Sequence, residues 1–189
     1  MLGQEARAKL ILQRTKEVEN TLQASLKSHT SRPKVAIIHR YDNPKSISLG
    51  EIFGHYLLEI SGGQNVVSTQ GIANVSLQEL YKLNPDIIYL NNFNTLLPEE
   101  LYQSSLYKPL KAVSQRSVYK FPLGSYRPFA PSIDLPVLLL WLYDKQYPKD
   151  SVDVMSYARK YYQEVLGVSL SDSQLEAIFT PNKQAGMLE

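Results

Sequence analysis

Short, continuously apolar segments alternate with helix-forming segments along this chain, and this alternation constrains its fold more than any other feature. The apolar segments are 34–39 (KVAIIH), 65–67 (NVV), 86–90 (DIIYL) and 117–121 (SVYKF). A strand that is apolar at consecutive positions is typical of a sheet covered by helices on both faces. We therefore expect one α/β domain in three layers (α/β/α), built around a short, mainly parallel sheet.

The helix-forming segments start with residues 4–29, which contain neither glycine nor proline and predict one long helix ahead of the first strand. A second helix is expected to start after Ser48 and to end at Gly62-Gly63, because Leu49, Ile52 and Phe53 begin an apolar helical face. The remaining helices are expected at 76–83, 98–107, 133–146, 151–165 and 172–179. Two of these follow the capping-box pattern, Ser-x-x-Glu at 76–79 and Ser-x-x-Gln at 171–174.

Composition narrows the possible functions. The formal net charge is +2 and no run of like charges occurs, which argues against a nucleic-acid partner. The chain has no cysteine, so disulfides, thiolate chemistry and cysteine-ligated metal sites are excluded. The longest apolar segment, 135–143, is too short to span a bilayer and predicts a buried helix.

The motifs of the common enzyme classes are missing. No glycine-rich phosphate loop follows the first strand, and Gly62-Gly63 follow a helix, where they predict its end. His29, His39 and His55 lack the spacing of metal ligands. His39 ends a strand and could have a functional role, although a structural role is the better interpretation. We therefore expect no catalytic residue, no bound metal and no cofactor.

A ligand is expected at the carboxyl ends of the strands, where open parallel sheets bind their ligands. Three loops leave these ends, at 39–46, 91–95 and 122–131. They carry arginines and aromatic rings, which suit a bulky, partly anionic ligand through charge-assisted hydrogen bonds and stacking. The predicted ligand-binding residues are Arg40, Tyr41, Asn92, Phe93, Tyr126 and Arg127, and the first and third loops are predicted to face one concavity.

The ordered motifs of the chain resemble a known protein family. The long helix is followed by a helix that ends GG-x-N, and four segments then match the family: Asn84–Ile88 (NPDII), Leu110–Val113 (LKAV), Val118-Tyr119 and the helix from Leu139 to Pro148. Together they resemble the C-terminal lobe of the ABC-importer substrate-binding proteins that capture ferric siderophores, haem and cobalamin. The resemblance covers residues 2–179.

The resemblance implies a domain division and a function. Residues 1–30 would form all or part of the helix that joins two lobes, 31–180 the C-terminal lobe, and 181–189 a tail that could include a cloning remnant. The chain would be a monomeric, non-enzymatic binding component that passes a ferric siderophore, haem, cobalamin or similar metal complex to a membrane permease. An N-terminal lobe and a leader would be encoded upstream, and the protein would be periplasmic, or exported and membrane-anchored.

Glu51 has two interpretations. Three residues after Ser48, it could be the second member of a capping box and no more. The resemblance implies instead that Glu51 is an exposed carboxylate that pairs with arginines of the permease. The two roles are compatible if capping is the resting state.

A second class of function stays open at the level of sequence. An α/β enzyme domain of the nucleotide-binding type, or of the chelatase or nitrogenase-like type, would share the layered architecture. The absence of a phosphate loop counts against the nucleotide-binding type. The absence of cysteine counts against the nitrogenase-like type.

Overall fold

The structure is a computed structural model, and it describes residues 4–50, 52–67, 71–127 and 129–183. The helices are α1 (Glu5–Leu26), α2 (Ile52–Ser61), α3 (Leu77–Leu83), α4 (Pro98–Gln103), α5 (Lys111–Ser114), α6 (Leu135–Gln146), α7 (Val154–Leu166) and α8 (Asp172–Phe179). The strands are β1 (Lys34–Asn43), β2 (Ser46–Gly50), β3 (Gln64–Asn65), β4 (Ile72–Val75), β5 (Ile87–Leu90) and β6 (Val118–Lys120). No helix within these ranges is both long enough and apolar enough to cross a bilayer.

The strands form one mixed sheet in the order β4-β2-β1-β5-β6, with β3 paired to the start of β1. Strands β1, β3, β5 and β6 run parallel to one another, whereas β2 pairs antiparallel with both β1 and β4. In the parallel part, Ile38 lies beside Leu90, which lies beside Lys120. These three residues mark the carboxyl edge of the central strands.

Side chains alternate between the two faces of the sheet and form two cores. Val35 and Ile37 of β1 pack in the first core with helices α1, α2, α6, α7 and α8. Ala36 and Ile38 pack in the second core with α3, α4 and α5. The expected three-layer α/β/α architecture with a mainly parallel sheet is confirmed.

Helices α3 and α8 have the capping boxes that their sequences predict. Ser76 accepts a hydrogen bond from the Glu79 backbone N–H, and the Glu79 carboxylate accepts one from the Ser76 backbone N–H. Ser171 and Gln174 form the same capping box at α8. Helix α6 is apolar on nearly all sides because it is buried among α1, α2 and α7. The helix predicted at 98–107 is shorter: α4 ends at Gln103 because Ser104 has an extended backbone, and α5 was not predicted.

The structure corrects the sequence analysis at residues 39–50. The segment 39–46 was predicted to be a loop, but β1 continues to Asn43 and turns into β2 at Ser46. The predicted helix start at Ser48 is also wrong, since Ser48 lies in β2 and its hydroxyl donates to Asn74 Oδ1 at 2.7 Å. Helix α2 begins at Ile52. A capping box at Ser48 is therefore ruled out, while Glu51 itself lies outside the described residues.

Candidate ligand-binding site

The candidate site lies at the carboxyl edge of the central strands, where the chain leaves β1, β5 and β6. His39 continues β1 past Ile38, Asn91 follows β5, and Phe121 follows β6. The Asn91 backbone N–H donates to the Ile38 carbonyl at 3.0 Å, and the Phe121 N–H donates to the Leu90 carbonyl at 2.9 Å. These bonds extend the ladder by one residue and fix the starting points of two loops.

The loop after β5 is organised by asparagines. Asn91 Oδ1 accepts the Phe93 backbone N–H at 2.7 Å, and Asn94 Oδ1 accepts the Leu96 N–H at 3.0 Å. Each bond runs from a residue to its second neighbour, which is the Asx-turn pattern that favours asparagine in such turns. The Asn92 side chain points inward and donates to the Phe121 carbonyl at 2.9 Å. Phe93 is left at the apex with 40% of its surface exposed.

Lys120 lies under this loop at the end of β6. Its ammonium donates to the carbonyls of Asn91 at 2.8 Å, Asn94 at 2.6 Å and Leu96 at 3.1 Å. Burial lowers the pKa of Lys120 from 10.5 to about 8, and the carboxylate of Glu100 opposes this shift. The loop therefore encloses a buried cation whose direct partners are oxygen atoms of the loop itself.

The loop after β6 is organised by a buried anion, Asp134. Its carboxylate accepts from the backbone N–H groups of Ser125 at 3.1 Å and Tyr126 at 3.2 Å. It also accepts from the Ser125 hydroxyl and, across the core, from the Tyr162 hydroxyl, both at 2.8 Å. Gly124 lies against these groups, and a Cβ atom there would come within 2.5 Å of the Tyr162 oxygen. The backbone of 124–126 is thus held close to α6 and α7.

The two loops meet through Arg127 and Phe93. The Arg127 guanidinium lies over the Phe93 ring, 4.9 Å from its centroid. Within the described ranges, no hydrogen bond or ion pair joins this guanidinium to another residue. Beneath them, His39 packs between Phe93 and Phe129, with ring centroids 6.0 and 5.9 Å away. Among the described residues, the edge of the sheet therefore presents an arginine that has no carboxylate partner and lies over an aromatic ring.

The structure places the other predicted residues in different surroundings. The Tyr126 side chain is 57% exposed next to Arg127. Arg40 lies in the β1–β2 hairpin, where it is paired with Asp42 at 2.9 Å. Tyr41 packs on the second core and accepts a hydrogen bond from the Tyr107 hydroxyl at 2.8 Å. The pairing of β1 with β2 shifts register on either side of Arg40 and Tyr41. Such irregularities redirect side chains, and here the Tyr41 side chain packs on the second core.

Sequence reasoning did not identify Lys120, Asp134 or the bond between Asn91 and His39. The Asn91 amide donates to His39 Nδ1 at 2.9 Å, which links the ends of two strands. Two signals were present in the sequence: a lysine inside the apolar segment 117–121, and three asparagines within 91–94 directly after a buried strand.

Comparisons with known proteins support the fold. The structure is similar to a periplasmic solute-binding protein from Veillonella parvula, with a TM-score of 0.81 and 23% identity over 91% of this chain and 54% of that chain. It is also similar to an ABC transporter solute-binding protein from Sulfurospirillum deleyianum, with a TM-score of 0.79 and 23% identity over 93% of this chain and 56% of that chain. The chain has the fold of the periplasmic solute-binding proteins of ABC transporters.

This solute-binding fold is also found in MolA from Haemophilus influenzae, a molybdate periplasmic binding protein solved with molybdate. Its TM-score is 0.69, with 17% identity over 86% of this chain and 51% of that chain. The present chain spans about half the length of these solved structures. No protein-family model and no curated protein matches the sequence.

Proposed function

We propose that this chain is the C-terminal lobe of the substrate-binding component of an ABC importer, and that its solute is an iron chelate or a related metal complex. The observation that carries the proposal is the Arg127 guanidinium stacked on the exposed Phe93 ring at the carboxyl edge of the sheet. A chelate with anionic groups and flat rings fits this pair, because the guanidinium supplies charge-assisted hydrogen bonds and the ring supplies a stacking surface.

The solute-binding fold supports the transport role over the enzymatic alternatives. Two of the similar structures are described as ABC transporter components, and one of them as binding molybdate. A nucleotide-binding or chelatase-type enzyme is not favoured by any of these comparisons. In the proposed role, the protein works in the periplasm, or exported and membrane-anchored, and it delivers its solute to a membrane permease.

The proposal includes the permease contact through Glu51. It rests on the resemblance of the chain to the siderophore-binding family, since Glu51 lies outside the described residues. Glu51→Gln, placed in the two-lobed protein, should keep solute affinity and impair uptake by cells at limiting solute. Uptake equal to that of the wild type would remove Glu51 from the docking surface.

The binding proposal is tested by titrating the chain with ferric catecholate, haemin and cyanocobalamin, with ATP and NADH as enzyme-type comparisons. Trp141 is the single tryptophan and belongs to the aromatic cluster that continues through Phe121 to Phe129, so its fluorescence reports an absorbing chelate at the site. We expect quenching by at least one metal complex. Binding of ATP or NADH in place of all three complexes would contradict the proposal.

Variants locate the bound complex. Arg127→Ala and Phe93→Ala should each weaken binding of the quenching complex about tenfold or more, because each removes one of two stacked groups. Arg116→Ala is the matched control, since Arg116 also lies over an aromatic ring, that of Tyr102 at 4.5 Å, but at the opposite end of β6. Equal losses in Arg127→Ala and Arg116→Ala would show that the complex does not bind at the proposed site.

A further inference from the structure

We propose that Lys120 is a positioning residue for solute binding: its buried ammonium fixes the turn 91–96 so that Phe93 is presented beneath Arg127. This inference rests on the proposed function of the same site. It adds a residue that does not contact the solute but determines the shape of the surface that does.

Lys120 differs in its surroundings from an ordinary lysine. Its side chain is buried, with 7% of the residue exposed, whereas lysines are almost never fully buried without a partner. The hydrogen-bond partners of its ammonium are the three loop carbonyls and, at 3.4 Å, Asn94 Oδ1. Within the described part of the chain, the carboxylate that acts on it is Glu100 of α4, which is itself paired with Lys183 at 2.8 Å. The lowered pKa of Lys120 agrees with this burial.

The loop needs a donor at this position. The carbonyls of Asn91, Asn94 and Leu96 converge on one point inside the protein, and a buried carbonyl without a hydrogen bond is costly. A single ammonium has three N–H donors and satisfies all three carbonyls at once. An apolar side chain at position 120 would leave these oxygens without their donors, and the turn would have to open towards water.

The same contacts determine where Phe93 lies. The ammonium holds the carbonyls of Asn91 and Asn94, which flank Phe93 on both sides. The Phe93 backbone N–H is held by Asn91 Oδ1, so backbone and side-chain bonds close around the apex of the turn. Asn94 also donates to the Ile38 carbonyl at 3.3 Å, which attaches the turn to β1. If the ammonium is removed, Phe93 loses the frame that keeps its ring under the guanidinium.

Amide hydrogen exchange tests the structural part of the inference without any solute. In Lys120→Met, which keeps the length of the side chain and removes its donors, the Phe93 and Leu96 amides should exchange at least about tenfold faster, because the frame of the turn is lost. The Tyr89 amide in β5 should keep its protection. Lys145→Met is the matched control, since Lys145 lies outside the turn and pairs with Asp144.

Chemical rescue separates a specific role of the ammonium from general loss of packing. In Lys120→Ala, methylammonium should restore slow exchange of Phe93 and Leu96, because it carries the missing N–H donors. Tetramethylammonium at the same concentration should not restore slow exchange, because it has no N–H donor. Restoration by both ions, or by neither, would overturn the assignment of the role to the donors of Lys120.

Solute binding completes the test, with the metal complex that quenches Trp141 as the probe. Lys120→Met should weaken its binding at least about fivefold, since Phe93 is no longer pre-organised. If exchange is faster but affinity is unchanged in Lys120→Met while Arg127→Ala loses affinity, the inference is overturned and the proposed function stands. If Arg127→Ala and Phe93→Ala also keep full affinity, the complex binds elsewhere, and the proposed site is overturned together with the binding role of Lys120.

Discussion

Two buried charges of opposite sign shape the two loops that meet at Phe93 and Arg127. The Lys120 ammonium donates to carbonyl oxygens of the first loop. The Asp134 carboxylate accepts from N–H and O–H donors of the second loop and from the Tyr162 hydroxyl of α7. Each charged side chain forms hydrogen bonds with polar loop groups that have no partner within a helix or the sheet. At the scale of single residues, these two positions should therefore be the least tolerant of substitution near the site.

Asp134→Asn should destabilise the protein by about 2 kcal/mol or more, because the new amide NH2 faces donors and leaves them without an acceptor. Urea denaturation monitored by circular dichroism measures this loss. Asp172→Asn is the control: Asp172 is exposed and paired with Arg159, so the variant should lose less than about 1 kcal/mol. Equal losses in the two variants would show that Asp134 does not organise its loop.

Lys120 should give the stability of the protein a characteristic pH dependence. Its pKa is about 8 in the folded chain and 10.5 in the unfolded chain, so between these values the unfolded state holds more protons. The free energy of unfolding should therefore rise with pH across this window, relative to Lys120→Met, which has no amine to titrate. Denaturation curves from pH 7 to 10.5 measure the difference; a flat or falling difference would mean that the burial of the ammonium has no energetic cost.

At the scale of elements, α1 packs on the domain through an apolar face, and Arg14 also pairs with Glu164 of α7. Val18 and Leu22 are buried in the first core, while Leu12 on the same helix is 69% exposed. The helix is also fixed near its end, where His29 pairs with Asp150 at 2.9 Å. The hydrogen bonds from Tyr143 and His29 lower the pKa of Asp150.

Leu22→Ala should cost about 2–5 kcal/mol, the range for a leucine removed from a packed core. Leu12→Ala, a matched leucine of the same helix, should change the free energy of unfolding by no more than about 0.5 kcal/mol. Thermal or urea denaturation of both variants makes the comparison. A large loss in Leu12→Ala would indicate that the outer face of α1 is covered by contacts absent from this structure.

The strands that are covered on both faces could be predicted from the sequence. Strands β2 and β4, at one edge of the sheet, could not. The segments at β1, β5 and β6 are apolar at consecutive positions, and periodicity is strong in α1 and α2. Strand β2 was missed because Ser48 and Glu51 have the spacing of a capping box, and Leu49 also fits the apolar period of the helix that follows. Strand β4 has four residues and alternating exposure, which gives a weak signal.

The candidate site could be predicted in position but not in detail. The rule for parallel sheets predicts a ligand at the carboxyl edge, and the structure brings two of the predicted residues, Phe93 and Arg127, together there. The direction of Tyr41 could not be predicted, because register shifts in β1 are set by pairing with β2. The hydrogen-bond partners of Lys120 are three backbone carbonyls, and the direction of a loop carbonyl cannot be predicted from residue types.

At the scale of the whole molecule, the chain spans about half of the structures that it resembles. In the proposed function, contacts from a second lobe add to those of Phe93 and Arg127. The chain by itself should therefore bind a ferric chelate with a dissociation constant weaker than about 1 μM, because part of the enclosing surface is absent. Calorimetric titration measures this; submicromolar binding would show that one lobe is sufficient.

The buried lysine also has a consequence for how the site behaves among metal ions. Loops with several converging carbonyls are often held by a bound ion such as Ca²⁺, and they lose their shape when a chelating agent removes it. Here the positive charge is covalently attached through Lys120, so no competing ligand can extract it. If the solute is the iron chelate proposed above, the turn 91–96 would thus keep its shape in the presence of a strong chelator.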